Sequence, residues 1–275
     1  MFKTTDNKIV LAPDTVQSLL VQPVTTGSVA SQVANVITTP SHTTRFPRLT
    51  ADPTAAWTAE GEEIVPSDPT VDEVLVIPSK VAGLVVTTTE MTNDATTEAI
   101  NEIGNGLVRQ ITNSIDAAFF GNESAPAPAG LGSITPTELT VEALDNLDWA
   151  EEARAKSAGL GATLTTFVAH PDDALTLAKL KESTSSARGL LQPDPTAPTN
   201  RTVAGVPLLT SNHVTKGQIW GIPANAANLV IRDTAEVVAD NSVFFTSDRV
   251  AIRATMRVGF GFVFEESIVR VTVTP

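Results

Sequence analysis

Apolar residues at Ile100, Ile103, Leu107, Ile111, Ile115 and Phe119 recur every three or four positions through Asn93–Gly121, the only long stretch with an unbroken helical period. The spacing predicts one helix of about 26 residues, a rod of roughly 40 Å and more than twice the average globular helix. Thr92, Asn93 or Asp94 is placed to cap its first amides, Glu98 falls in the first turn, and Gly121 is the expected left-handed stop. Gly104 and Gly106 are costly inside a helix, each by about 0.5–1 kcal/mol relative to alanine, so either something packs very close there or the rod bends.

A second pattern has period two. Val250, Ile252, Ala254, Met256, Val258, Phe260, Phe262 and Phe264 are apolar, while Arg249, Ala251, Arg253, Thr255, Arg257, Gly259, Gly261, Val263 and Glu265 occupy the odd positions. This predicts a strand run of about 50 Å with one face on a core, bent or split at Gly259 and Gly261. A last strand, Ser267–Thr274, is expected to pair with it. Helix and sheet have similar lengths, and laying one along the other buries both stripes. Residues 84–122 and 240–275 then form one elongated unit, with the stretch 135–240 inserted between them.

Residues 45–80 are crossed by Pro47, Pro53, Pro66, Pro69 and Pro78, with alternation at Ala55, Trp57, Ala59 and again at Val71, Glu73, Leu75, Ile77. They read as a long projecting hairpin with a polar tip from Glu60 to Asp68. So little covers it that it is expected to lie on a partner. The first 40 or so residues have weak periodicity and one helix-like piece after Pro13, which predicts an extended arm that wraps something. Val81–Met91 is strand-like and feeds the long helix, and Asn122–Pro136 is a proline- and glycine-rich boundary. Beyond it come helices over Val141–Gly159 and Pro171–Ser183, a buried strand at Thr163–Ala169 and a long loop at Thr184–Gly205. Short strands at Val206–Asn212, Gln218–Pro223 and Ala227–Asp233 complete a compact α/β lobe.

Composition removes several function classes. With 275 residues, 42% of them hydrophobic, the chain can bury a large core. No run of 18 apolar residues and no signal-peptide core is present, so neither membrane insertion nor Sec export is indicated. The absence of cysteine excludes disulfides, thiolate metal sites and cysteine nucleophiles. A net charge of −13 argues against the phosphate-neutralising surface that nucleic-acid affinity needs. The charge is uneven: residues 1–59 carry net +1, whereas residues 60–98 hold nine acids against Lys80 alone.

Candidate chemistry is thin. His42, His170 and His213 are unpaired at helical spacing and no HExxH occurs, which gives no metal site and no cofactor. His170 before Pro171 reads as a strand-to-helix turn residue. Gly259-Phe-Gly261 lacks the rest of a phosphate loop, and no serine sits in GxSxG or SxxK. Asn122-Glu-Ser124 and Asn200-Arg-Thr202 fit the glycosylation pattern only by chance, given no signal sequence. The sharpest candidates are Glu60, Glu62 and Glu63, a solvated acidic tip or a tip that docks on basic groups of another subunit, with Arg109, Arg249, Arg253 and Arg257 as the candidate partners.

At this point the ordered phrases of the chain resemble the major capsid proteins of tailed bacteriophages. Trp57-Thr-Ala-Glu60-Gly61 followed by Ile64, Asp68, Val74 and Lys80-Val-Ala-Gly-Leu-Val-Val-Thr looks like that family's extended loop and returning strand. Ile115-Asp-Ala-Ala-Phe-Phe-Gly121 leading to Pro128-Ala-Gly-Leu131 is similar to the exit of its spine helix. Phe167-Val-Ala-His-Pro171 with Leu177, Leu180-Lys181 and Gly205-Val-Pro-Leu208 resembles its axial domain, and Phe245, Asp248-Arg-Val-Ala-Ile-Arg253 and Arg257 its closing strands. The resemblance implies an α+β fold with an N-terminal arm (1–44), an extended loop (45–80), a peripheral domain with spine helix and long sheet (81–134 and 240–275) and an axial domain (135–239). It also implies a non-enzymatic subunit in the virion, assembled in the host cytoplasm into hexamers and pentamers around double-stranded DNA. Scaffolding and portal proteins would be its partners, with a possible cementing protein and no membrane. Intersubunit contacts would fall at Trp57, at the acidic and basic candidates above, and at Gly104 and Gly106.

Two departures stand out. Met1 opens almost directly onto the arm, so a scaffolding segment is absent, separate or already removed. Some members cross-link through a lysine on the extended loop, but between Lys8 and Lys156 this chain has only Lys80, at the loop's base, and no cross-linking residue is carried over. An encapsulin-type bacterial compartment shares the implied fold; the long arm and proline-rich loop favour the phage shell. An enzyme or carbohydrate-binding protein with its site in the inserted lobe is the rival of another class.

Overall fold

The helical stripe and the alternating strand meet face to face. The computed structural model describes residues 8–10, 22–51, 53–63, 66–88, 97–183, 186, 188–193 and 201–274. Its strands are β1 (Lys8–Val10), β2 (Asn35–Thr39), β3 (Thr44–Ala51), β4 (Thr70–Val76), β5 (Ser79–Thr88), β6 (Thr137–Val141) and β7 (Thr166–Ala169). They continue with β8 (Gln192–Pro193), β9 (Arg201–Val203), β10 (Val206–Thr210), β11 (Gln218–Ile222), β12 (Ala227–Phe244), β13 (Arg249–Phe262) and β14 (Val269–Val273). The long helix runs Thr97–Phe120, and shorter helices span Gln22–Gly27, Val29–Val33, Asp148–Gly159 and Pro171–Ala178. The expected cap residues at 92–94 and the helix-like piece after Pro13 lie outside the described residues, as do the side chains of Ile100 and Ile103.

Sheet one is ordered β1-β12-β13-β5, with β2 also on β12. The long helix lies across it and buries Leu107, Ile111, Ile115 and Phe119 against Ala254, Met256, Val258, Phe260 and Phe262. Each of the larger side chains contributes about 1.5–3 kcal/mol by leaving water. Phe119 meets Phe260 edge-to-face at 5.1 Å. The helix also approaches β5 closely: a Cβ on Gly83 would stand 2.4 Å from Leu107 Cδ1, so any larger residue there would push the Leu107 side chain aside.

The helix end differs from expectation. Gly121 is not among the described glycines with positive φ. Its role is proximity, because the exit chain folds back on the helix carbonyls: Gly132 N donates to Gly121 O at 3.0 Å. A Cβ on Gly130 would lie 1.9 Å from Ala118 O.

Gly259 and Gly261 do not split β13, which is continuous. They are a passage. A Cβ on either would stand 2.7 Å from a methyl of Val76, where β4 crosses the sheet. Phe46 lies 3.4 Å from the same position at Gly261.

Sheet two is ordered β6-β14-β11-β7-β10-β9-β8 and builds the lobe around Trp149, Phe167, Leu177 and Ile219. Two strands depart from the grouping 135–239 against 240–275. β14 pairs with β11 and β6 in this sheet and not with β13. Conversely, Ala227–Phe244 is one long strand along β13, where the sequence suggests a short strand of the lobe. Past Asp233 the strand resumes after a register shift between Arg232 and Glu236, with Val237 opposite Ala254 and Val238 opposite Arg253. His170 is the turn residue expected, its Nδ1 accepting from Asp172 N at 3.2 Å to cap the following helix. Strands β8 and β9 fall within the stretch read as loop.

Candidate functional site

The hairpin is built from β3 and β4, with Leu49 opposite Val71 and Arg48 opposite Asp72. Its first arm therefore starts earlier than the alternation at Ala55, Trp57 and Ala59 suggests; the described residues from 53 to 69 form no strand. Pro53, Pro66 and Pro69 cannot donate to a ladder, so pairing stops short of them. Arg45 pairs with Glu73 at 3.0 Å and Arg48 with Asp72 at 2.9 Å. The Asp72 carboxyl is held below its usual value, first by the Glu73 amide that donates to it and then by Arg48.

One face of this hairpin has no cover among the described residues. Leu49, Val71, Leu75 and Ile77 are exposed, and Trp57 is fully exposed beyond them. Glu60 and Gly61 form a tight turn, with Gly61 at φ +88° and Glu62 N donating to Ala59 O at 3.1 Å. Glu60, Glu62 and Glu63 are exposed and make no ion pair among the described residues.

The basic candidates divide. Arg253 and Arg257 stand on the face of the first sheet opposite the long helix. Arg257 lies directly across from Lys80 on β5 and from Arg232 on β12. Sequence reasoning did not bring Lys80 and Arg232 to this place; only the register of three strands distant in sequence does. An open cleft of about 400 Å³ covers these groups together with Glu236, which pairs with Arg253 at 3.6 Å. Arg249 is at the far end of β13, opposite Thr88 and Phe244. Arg109 is on the long helix, beside Gly27, Asn105 and Thr112, away from the sheet's outer face.

Among the described residues nothing lies within 4 Å of a Cβ placed on Gly104; at Gly106 only Arg109 Nη2 comes near, at 3.7 Å. Neither close packing within the subunit nor a break accounts for them, since the helix is unbroken from Thr97 to Phe120. The arm is tied down at Asp116. This buried carboxylate on the long helix accepts from Ser28 Oγ at 2.6 Å, Ala30 N at 3.0 Å and Val29 N at 3.1 Å, capping the short helix Val29–Val33. Val24, Ala30 and Val33 join the main core. What this part of the arm wraps is its own subunit.

Among the described residues no cluster of three or more histidine or acidic side chains is arranged to hold a metal. No helix is long and apolar enough to cross a membrane. The deciding comparison is with known sequence families, where residues 9–273 match the phage capsid family.

The chain belongs to the phage capsid family.

No curated protein matches this capsid chain significantly. Its fold is that of solved capsid structures. One is the capsid of an empty GTA particle, at TM-score 0.74 and 16% identity over 89% of each chain. Another is from Microbacterium phage Oxtober96, at TM-score 0.74 and 16% identity over 90% of this chain and 91% of that one. A third, from Mycobacterium phage Adephagia, has TM-score 0.71 and 16% identity over 90% and 91%.

Proposed function

We propose that this chain is the major capsid protein of a tailed bacteriophage and builds hexamers and pentamers of an icosahedral shell around packaged double-stranded DNA. The observation that carries the reading is the uncovered hairpin: a two-stranded ribbon with Leu49, Val71, Leu75, Ile77 and Trp57 exposed is an aggregation hazard on a monomer and an asset in a closed assembly. The subunit acts by binding copies of itself and catalyses no reaction. Its −13 charge means that DNA is enclosed by the wall and not gripped by it. Assembly takes place in the host cytoplasm with scaffolding and portal proteins, and a cementing protein would bind the finished virion.

Negative-stain microscopy of the purified full chain tests this. Regular shells, or rings of five and six, are expected, with nuclease-protected DNA inside particles taken from infected cells. Monomers under all assembly conditions would overturn the reading, and particles that carry a cargo enzyme and no DNA would replace the phage shell by a cellular compartment.

A further inference from the structure

Lys80, Arg257 and Arg232 stand side by side on β5, β13 and β12, each directly opposite the next, so all three project from one face of the sheet. Strands are about 4.8 Å apart, and like charges set opposite one another destabilise a sheet. The open cleft over them, about 400 Å³, is lined by four cations and one acid, Glu236, which Arg253 already engages at 3.6 Å. Among the described residues Lys80, Arg257 and Arg232 make no ion pair. Arg232 Nε is buried without a hydrogen-bond partner there. Thr255 adds a hydroxyl to the same wall. In a chain of net charge −13, so concentrated a row of cations is a cost that a bound anion would remove.

The shape of the row selects the anion. It is short and straight, two strand spacings or roughly 10 Å from end to end. A planar carboxylate presents two oxygens in one direction and meets one guanidinium fork at a time. Linked phosphates present oxygens along a line and toward several donors at once; each guanidinium matches them bidentately and the ammonium serves as a point charge. No aromatic ring lines the cleft, so nothing there stacks on a base. The position also gives binding a consequence. Lys80 is two residues past Pro78, whose Cα lies 3.2 Å from the Cβ position of Gly259, where the hairpin's returning strand crosses the sheet. An anion bridging the row braces the root of the hairpin.

We propose that the row is a binding site for a short linear polyphosphate, with Arg257 at its centre and Lys80 and Arg232 at its ends. The bound anion neutralises three cations that repel one another, so the ligand stabilises the sheet on which it sits. The site lies within one subunit and does not depend on the shell reading above.

Calorimetric titration of the dissociated full-length chain with inorganic tripolyphosphate, at an ionic strength held constant with chloride, should show one site per subunit. Orthophosphate reaches fewer of the donors and should bind at least about tenfold more weakly. Arg257→Met and Lys80→Met should each weaken tripolyphosphate by at least about tenfold, whereas Arg249→Met, at the far end of β13, should leave its affinity unchanged. Stability gives a readout of opposite sign. Without the anion Arg257→Met relieves the repulsion, so its urea midpoint should equal or exceed that of the wild type; at saturating tripolyphosphate the wild type should overtake it. Equal affinity in wild type, Arg257→Met and Lys80→Met, or equal affinity for tripolyphosphate and orthophosphate, overturns the site. A wild-type midpoint indifferent to the anion does the same. Tighter binding of adenosine triphosphate than of tripolyphosphate would overturn the assignment to the inorganic chain.

Discussion

Ser28 Oγ donates to Asp116 Oδ1 at 2.6 Å across 88 positions of sequence, and this bond fixes the arm to the long helix. Both residues are buried, and the same carboxylate takes the Val29 and Ala30 amides. Asp116→Ala would leave three donors unpaired. The expected loss is about 2–4 kcal/mol, because hydrogen bonds to a buried charge exceed the usual value and the orphaned donors carry their desolvation cost. Asp116→Asn keeps one acceptor oxygen, so its loss should be smaller. Denaturant unfolding of dissociated subunits gives the numbers, and equal midpoints for wild type and Asp116→Ala would refute the tether.

Gly261→Ala should destabilise the subunit by about 1–3 kcal/mol, since its Cβ would press within 2.7 Å of Val76 Cγ2. The conflict is with one side chain, so Val76→Ala in the same chain should recover part of the loss. A double-mutant cycle measures this directly; simple additivity of the two changes would show that β4 does not cross here.

Gly104→Leu separates folding from assembly. Among the described residues nothing lies within 4 Å of the new Cβ, and leucine is the better helix former by roughly 0.5–1 kcal/mol. The dissociated subunit should melt at or above the wild-type temperature while shell yield drops. Wild-type yield of normal shells would show that no neighbour approaches this turn.

Asp72 should titrate below its ordinary value of 3.8. The sign follows from the depressed folded-state value: what this group adds to hairpin stability is fully present above the ordinary value and disappears as pH falls through the lowered one. In Arg48→Ala the midpoint should rise only partway, because the Glu73 amide is the larger cause. Carboxyl carbon shifts followed by NMR between about pH 2 and pH 6 report both, and a midpoint in the variant equal to that of the wild type would deny Arg48 its part.

Two periodicities carried most of the fold. Leu107, Ile111, Ile115 and Phe119 are buried as their spacing requires, against the even positions of β13. The sequence was silent where a role depends on what crosses from elsewhere. Gly259 and Gly261 look like bends because a glycine in a strand has that meaning locally; the residue that crosses them, Val76, is 183 and 185 positions away. The same holds for the cationic row, whose members come from β5, β12 and β13 and meet only through register. Asp116 reads as one polar residue on a helix until Ser28 is placed beside it. The hairpin's paired arms were misplaced because Ala55, Trp57 and Ala59 alternate without a strand to pair with.

The crossing at Gly259 and Gly261 also has a mechanical meaning. β3 extends about 25 Å from that fulcrum, so a tilt of about 10° there would displace its far end by roughly 4 Å, close to one inter-strand spacing. Two absent side chains thereby set the aim of a lever whose seat is Val76.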